Sequence, residues 1–182
     1  VDIEDLNFGR NETAMIRASL LNWYDENKRD LPWRTSIHAT ESEFRDVRAY
    51  AVWVSEVMLQ QTRVQTVVEY YTRWMKKWPT IHHLARASIE EVNEMWAGLG
   101  YYRRARFLLQ GAKMIVEGDG EFPKTASSLL RVKGIGKYTA GAIASIAFGE
   151  AVPVVDGNVI RVIARLKAIS DNPKKLSTIN NL

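Results

Sequence analysis

Two carboxylates stand in settings that would change carboxyl chemistry. Glu56 lies in "AVWVSEVMLQQT", on a predicted helix otherwise poor in charge. Flanked by Trp53, Val57, Met58 and Leu59, it is expected to be desolvated, which would keep it protonated near neutral pH as a general acid requires. A solvent-facing glutamate sharing the polar side of an amphipathic helix with Ser55 and Gln60 fits the same spacing. Asp156 stands in "VPVVDGNVIRVIARL", after a short apolar run and before a predicted helix. As an N-cap it would accept backbone hydrogen bonds, which favour its ionised form. Capping alone would account for it; the chemical reading is a carboxylate held anionic opposite a developing positive charge, with Asn158 beside it for polar support. One protonated and one ionised carboxyl make the division of labour that cleaves glycosidic bonds through an oxocarbenium-like transition state. That reading requires the fold to unite two residues far apart in the chain.

A third feature is "VKGIGKYTAGAIASIAF", Val132 to Phe148. A nucleotide-binding phosphate loop would need a preceding strand and a longer spacing to Gly-Lys-Ser/Thr. The dinucleotide fingerprint fails as well, because the segment before Gly134 reads as helix. What remains is a helix, the turn Gly134-Ile135-Gly136, and a second helix. Two glycines let the backbone take conformations closed to other residues, and the new helix begins with unpaired amides and a positive dipole end, which suits a phosphate. A tight connection between packed helices is the commoner use of such glycines, but Arg131, Lys133 and Lys137 shift the balance toward a phosphodiester backbone. Ala140, Gly141, Ala142, Ala144 and Ala147 leave the second helix so slender that it is expected to cross the domain centre.

The elements that must position these groups all read as helices. Ile16, Leu20, Trp23 and Tyr24 recur at helical spacing between Thr13 and Lys28, and Leu31-Pro32 ends that helix. The polar stretch Thr35 to Arg48 lacks a sustained apolar face and is expected to be a surface loop, with a short helix at most. Helices are predicted over Ala49 to Gln60 and over Val64 to Trp78, where Val64, Val67, Val68, Tyr71, Trp74, Met75 and Trp78 form one stripe. Ser88-Ile89-Glu90-Glu91 has capping-box spacing ahead of Val92, Met95, Trp96 and Leu99. Tyr102 to Glu117 follows the break at "GLGYY", and Asn158 to Ala168 is expected to turn Val159, Val162, Ile163 and Leu166 inward. No convincing strand pair, repeat or low-complexity tract is present, so the fold is expected to be all-α, with about eight to ten short helices around one or two cores.

Composition narrows the chemistry. The 182 residues contain no cysteine, which removes disulfides, thiolate metal sites, iron–sulphur ligation and a cysteine nucleophile. His38, His82 and His83 lie far from the motifs above, so an all-protein transition-metal site is not expected. No apolar run approaches a membrane span, the first residues are acidic rather than signal-like, and an intracellular chain without a membrane partner is expected. The net charge of +4 is compatible with a polyanionic partner.

"LPWR", "VWVSEVMLQQTRV", "WAGLGYYRRARFL", "VKGIGKYTAGAIASIAF" and "VVDGNVIRVIARL", in this order and at these separations, closely resemble the adenine DNA glycosylases of the helix-hairpin-helix superfamily. The resemblance runs from about Leu20 to Ser170, and five motifs in register are far more specific than any one. It implies a helix-hairpin-helix glycosylase fold of two helical lobes with the active site in the cleft between them. Residues 1–10 would be a flexible N-terminal segment and residues 11–182 the catalytic domain, its barrel lobe spanning about 49–152 and its second lobe about 11–34 plus 153–182.

The resemblance also implies roles. Glu56 would protonate the adenine ring, Asp156 would stabilise the sugar cation or briefly bond to it, and Asn158 would assist. Arg29, Trp33, Arg34 and Leu59 would surround the extruded adenine. Gln61 and Tyr101 would wedge into the duplex, the tyrosine beside 8-oxoguanine. Gly134, Gly136, Lys137 and Thr139 would hold DNA phosphate, with a monovalent cation on hairpin backbone carbonyls. Tyr138 stands where bifunctional, endonuclease III-like relatives have a lysine that attacks the sugar. A hydrolase that leaves an abasic site is therefore implied, acting on adenine paired with 8-oxoguanine or guanine in double-stranded DNA, as a monomer. Arg103, Arg104 and Arg106 read as a solvated face, with DNA contact as the alternative.

Family members continue past the aspartate motif into more helices and a four-cysteine loop for a [4Fe–4S] cluster, then a domain that recognises 8-oxoguanine. This sequence stops at Leu182 and has no ligand for a cluster. The second lobe is therefore expected to be incomplete, with no cofactor in this chain. The longer loop between Arg34 and Tyr50 resembles the eukaryotic branch, which implies a nuclear location with a pool in mitochondrion or plastid. Two rival readings remain: a lyase-type glycosylase, against which Glu56 and Tyr138 argue, and a DNA-binding module without turnover.

Overall fold

The computed structural model describes residues 8–34 and 41–168. All regular elements among them are helical: α1 (Arg10–Asn27), α2 (Glu41–Leu59), α3 (Val64–Lys77), α4 (Ile81–Ala85), α5 (Ile89–Trp96), α6 (Arg103–Glu117), α7 (Ala126–Leu129), α8 (Lys137–Phe148) and α9 (Gly157–Leu166), with a 3-10 turn at Pro32–Arg34. Two compact units result: Leu31–Val154, and the described parts of Val1–Asp30 with Val155–Leu182. None of the described helices is long and apolar enough to cross a membrane.

The larger unit is built around α2. From Ala49 to Val54 every side chain is buried, the mark of a helix enclosed on all sides. The buried Ser55 hydroxyl satisfies itself by donating to the Val52 carbonyl at 2.8 Å. Against α2 lies α8, its main packing partner, and α8 is buried from Thr139 through Ala144 and again at Ala147. Small side chains permit this central position, as expected. A Cβ at Gly141 would fall 2.9 Å from the Pro153 carbonyl oxygen, so the returning chain also presses on the helix.

The α3 stripe buries Val67, Tyr71 and Trp74. Trp74 meets Trp78 and Trp96 edge to face, with ring centroids 4.7 and 5.6 Å apart. Its indole N–H donates to the Tyr50 hydroxyl at 2.9 Å, and that hydroxyl donates to the Trp78 carbonyl at 3.0 Å. Burial pushes the Tyr50 phenol far above its ordinary value and the Tyr71 phenol up to about 12, so both stay neutral. The predicted capping box forms at α5: Glu91 N–H donates to Ser88 Oγ at 3.1 Å and Ser88 N–H to Glu91 Oε2 at 3.0 Å.

The structure corrects two expectations. Of the presumed loop over Thr35 to Arg48, residues 35–40 lie outside the described residues, but α2 begins at Glu41. Propagation from the buried Ala49–Leu59 half needs no apolar face in the first turns, and the Asp46 carboxylate anchors them by accepting from Phe122 N–H at 3.4 Å. In α9, Val159, Val162 and Leu166 are exposed rather than inward, and only Ala164 is buried. The other described helix of that unit, α1, carries its own exposed Leu20 and Trp23. Lys167 Nζ lies 3.4 Å from Glu12 Oε2 and 3.6 Å from the Phe8 ring centroid. The expected flexible segment falls largely outside the described residues, and Arg10 already belongs to α1.

Candidate functional site

The hairpin is α7, a glycine turn and α8. Thr125 caps α7, with Ser128 N–H donating to Thr125 Oγ1 at 3.2 Å. Glu150 reaches across to take the first α7 amide, Ala126 N–H to Oε2 at 2.7 Å. The turn closes through Val132 N–H to Leu129 O at 3.0 Å and Ile135 N–H to Val132 O at 3.2 Å, while buried Val132 and Ile135 pin it to the core.

The two glycines differ. Gly134 has φ +85°, and a Cβ there would lie 2.6 Å from the Phe107 Cβ, so conformation and packing both require glycine. Gly136 corrects the expectation that both need special backbone: at φ −94° and ψ 175° it is ordinary extended chain, and a Cβ would meet nothing within 4 Å. It is the N-cap of α8, yet no side chain caps that helix. A Cβ would therefore be accommodated at Gly136, and neither its backbone nor its packing requires glycine.

Phe107 joins the hairpin to a groove. Gly134 sits against it, Lys133 Nζ lies 5.1 Å and the Arg103 guanidinium 4.9 Å from its ring, and the same ring lines an open groove with Gln60, Gln61, Tyr101, Arg103 and Arg104. Gln61 and Tyr101, at the rim, have φ of +55° and +49°. A left-handed non-glycine residue costs about 1–2 kcal/mol, and outliers of this kind gather at functional sites. Tyr101 is 67% exposed, leaving its ring presented to solvent.

Arg104 was not legible as part of this site. It is half-buried, and its guanidinium makes five hydrogen bonds to backbone: Nη1 donates to Val57 O (3.0 Å), Met58 O (3.2 Å) and Gln60 O (2.6 Å), and Nη2 to Leu99 O (3.1 Å) and Gly100 O (3.2 Å). The group also lies 5.3 Å from the Trp96 ring and 5.6 Å from the Tyr101 ring. Burial lowers its pKa from the ordinary value, opposed by Tyr101, and arginine remains charged under such a shift. One partial signal was present. A cation in the first turn of its own helix opposes the helix dipole, but Arg103 and Arg106 share that turn of α6 and are exposed, so the signal marks the turn and not Arg104 itself.

Of the catalytic candidates in this unit, Glu56 is half-buried on α2 between buried Ser55 and Val57, and Tyr138 is half-buried in the first turn of α8. Trp33 packs edge to face on Tyr71 at 5.3 Å, and both Trp33 and Leu59 lie against the core. Arg34 and Lys137 are exposed. Thr139, expected at the DNA surface, is 3% exposed, so its side chain faces the protein and only its backbone amide belongs to the hairpin start.

The other unit holds half-buried Asp156 with exposed Arg29 and Asn158. Asp156 caps α9 as its position predicts: Oδ1 accepts from Asn158 N–H at 2.9 Å and Val159 N–H at 2.8 Å. Oδ2 accepts from Asn158 Nδ2 at 2.7 Å, and Arg161 donates to Asn158 Oδ1. The carboxylate is thereby fixed in orientation by three donors, with Arg161 holding the amide that serves it. Among the described residues no group of three His, Asp or Glu side chains is arranged to hold a metal ion.

Comparison with known proteins places this arrangement. Residues 54–182 match the family model described as "HhH-GPD superfamily base excision DNA repair protein". The chain is 66% identical over 199 residues to an adenine DNA glycosylase of Arabidopsis thaliana, with 99% of this chain aligned to 31% of that protein. It is 60% identical over 164 residues to the adenine DNA glycosylase of Homo sapiens, with 89% of this chain aligned to 30% of that one. It thus spans less than a third of the length of these two relatives. Among solved structures it resembles a thermostable thymine-DNA glycosylase, with TM-score 0.70 and 26% identity over 82% of this chain and 65% of that one. A non-covalent endonuclease III–DNA complex, at TM-score 0.67 and 23% identity over 92% of this chain and 75% of that one, shares the fold. Because the family match takes in the hairpin, the groove loops and most of the sequence, this chain belongs to the HhH-GPD superfamily of base excision DNA repair proteins.

Proposed function

We propose that the chain carries the catalytic machinery of a hydrolytic adenine DNA glycosylase acting on adenine paired with 8-oxoguanine or guanine. The observation that carries this reading is its 66% identity, over 99% of its length, to a protein named adenine DNA glycosylase. The site chemistry supports it. The uncapped α8 start and Gly136 offer amides to a phosphate, with Lys137 and Lys133 adding charge. A glycosidic bond inside a stacked duplex cannot be reached, so the base must be extruded, and Gln61 and Tyr101 fill the space it leaves. Leu129 and Val132 carbonyls each accept one hydrogen bond and keep a lone pair, which would suit a monovalent cation steadying the hairpin.

In the proposed reaction Glu56 gives its proton to the adenine ring. The bond from the sugar carbon to the base then breaks, and its electron pair leaves with adenine. Asp156 faces the cationic sugar, held by Asn158 and the α9 amides. Water adds to the sugar carbon and loses a proton, giving free adenine and an abasic site. Tyr138 occupies the start of the hairpin helix with a phenol, which cannot form the Schiff base that a lysine would use to cut the strand.

The test is strand scission. A duplex with a labelled adenine strand opposite 8-oxoguanine, incubated with the protein, is expected to break only after alkali. Breakage without alkali, or a borohydride-trapped adduct, would replace this reading with a lyase mechanism.

A further inference from the structure

We infer that Arg104 is the positioning residue that holds Gln61 and Tyr101 in the left-handed conformations from which both side chains address a duplex. The inference rests on the reading of those two side chains as duplex wedges. Its physical basis lies in which carbonyls the guanidinium selects. A peptide unit is planar, so the carbonyl of one residue and the N–H of the next move together. Arg104 binds the carbonyls of Gln60 and Gly100, the residues immediately preceding Gln61 and Tyr101. Fixing those two oxygens fixes the peptide plane that enters each strained residue, one of the two planes between which its φ and ψ are set.

The remaining bonds complete a bridge. Val57 O and Met58 O belong to the last turn of α2, whose carbonyls have no partner within the helix, and Leu99 O belongs to the turn before Gly100. On the far side of Tyr101, the Arg104 backbone N–H donates to the Tyr101 carbonyl at 2.9 Å, so one residue holds Tyr101 from both directions. Beyond Gln61, Thr62 returns its N–H to Leu59 O at 3.3 Å and its hydroxyl to Gln60 O at 3.2 Å. The two segments lie on the same chain but 44 to 47 residues and 4 to 5 residues from Arg104, so no local turn could join them. A planar fork with two separated donor nitrogens can serve both at once; a lysine ammonium is a single point and cannot.

The experiment compares wild type with Arg104→Lys, which keeps the charge and loses the fork. In free protein, amide hydrogen exchange at Thr62 and at position 104 is expected to accelerate about tenfold or more, while α8 amides keep their protection. With 2-aminopurine replacing the adenine opposite 8-oxoguanine, the fluorescence rise on binding is expected to be lost in the variant. Unchanged exchange at both amides overturns the inference, and so does a uniform loss of protection extending into α8, which would make Arg104 a general stability residue. If wild-type protein produces no fluorescence rise, the wedge reading fails by itself, and the exchange comparison still decides whether Arg104 sets the two loops.

Discussion

Gly134 lies so close to Phe107 that a methyl group on it would come within 2.6 Å of the Phe107 Cβ. This contact ties the hairpin to the groove that Phe107 lines with Gln61 and Tyr101. Substitution Gly134→Ala meets both this clash and the left-handed φ, and is expected to cost about 2–4 kcal/mol, read as a lower urea midpoint at unchanged slope.

Gly136 is expected to behave in the opposite way. Serine is sterically free to replace it and could cap α8, so Gly136→Ser should leave the melting temperature unchanged or slightly raised. In the proposed function the same Cβ would stand in the path of the phosphate, and duplex affinity should fall about tenfold, equivalent to about 1.4 kcal/mol. Equal affinity for both proteins in a titration at fixed salt would remove Gly136 from the interface.

Asp156 both caps α9 and faces the proposed sugar cation. Asparagine caps as well as aspartate, so Asp156→Asn should keep the melting temperature within a degree or so while lowering single-turnover adenine release by about 10²–10³. A parallel loss of stability and rate would reduce Asp156 to its capping role.

Gln61 carries backbone strain that glycine would relieve. Gln61→Gly should gain up to about 1 kcal/mol of stability, the strain relief being partly offset by unfolded-state entropy. It should also lose part of the 2-aminopurine signal. Stability and duplex distortion would then move apart, which equilibrium unfolding and fluorescence can read on one protein preparation.

Glu91 links stability to pH. Its hydrogen bond from Ser88 N–H comes first, and Lys77 at 3.4 Å adds to it, so the folded carboxyl lies below the ordinary glutamate range. A depressed folded value stabilises the protein above the unfolded value, and that contribution disappears as pH falls through the folded one. The difference in melting temperature between wild type and Glu91→Gln should therefore be present near neutral pH and shrink progressively on acidification below the ordinary glutamate value.

Much of this arrangement was legible because it depends on local spacing. The Ser88–Glu91 box, the α3 stripe, the slender α8 and the Asp156 cap all involve partners within a few residues or one helical face. Features set by distant partners were not. Arg104 looks like a surface arginine until the α2 carbonyls far along the chain are brought beside it. Gln61 and Tyr101 adopt a conformation for which sequence favours glycine or asparagine, so their residue types do not announce it. Helix α2 starts earlier than its polar first turns suggest because its buried half extends backward through them. In α9 the apolar stripe was correctly read as a stripe, but a stripe does not specify what covers it.

The central claim is that this chain removes adenine with Glu56 as the acid. The direct test is single-turnover release of labelled adenine from an A:8-oxoguanine duplex by wild type and by Glu56→Gln, with duplex binding measured for both. Release by wild type that falls about 10²–10⁴-fold in the variant while binding is retained is the predicted result. Equal release by the two proteins, or binding without release by wild type, would contradict it.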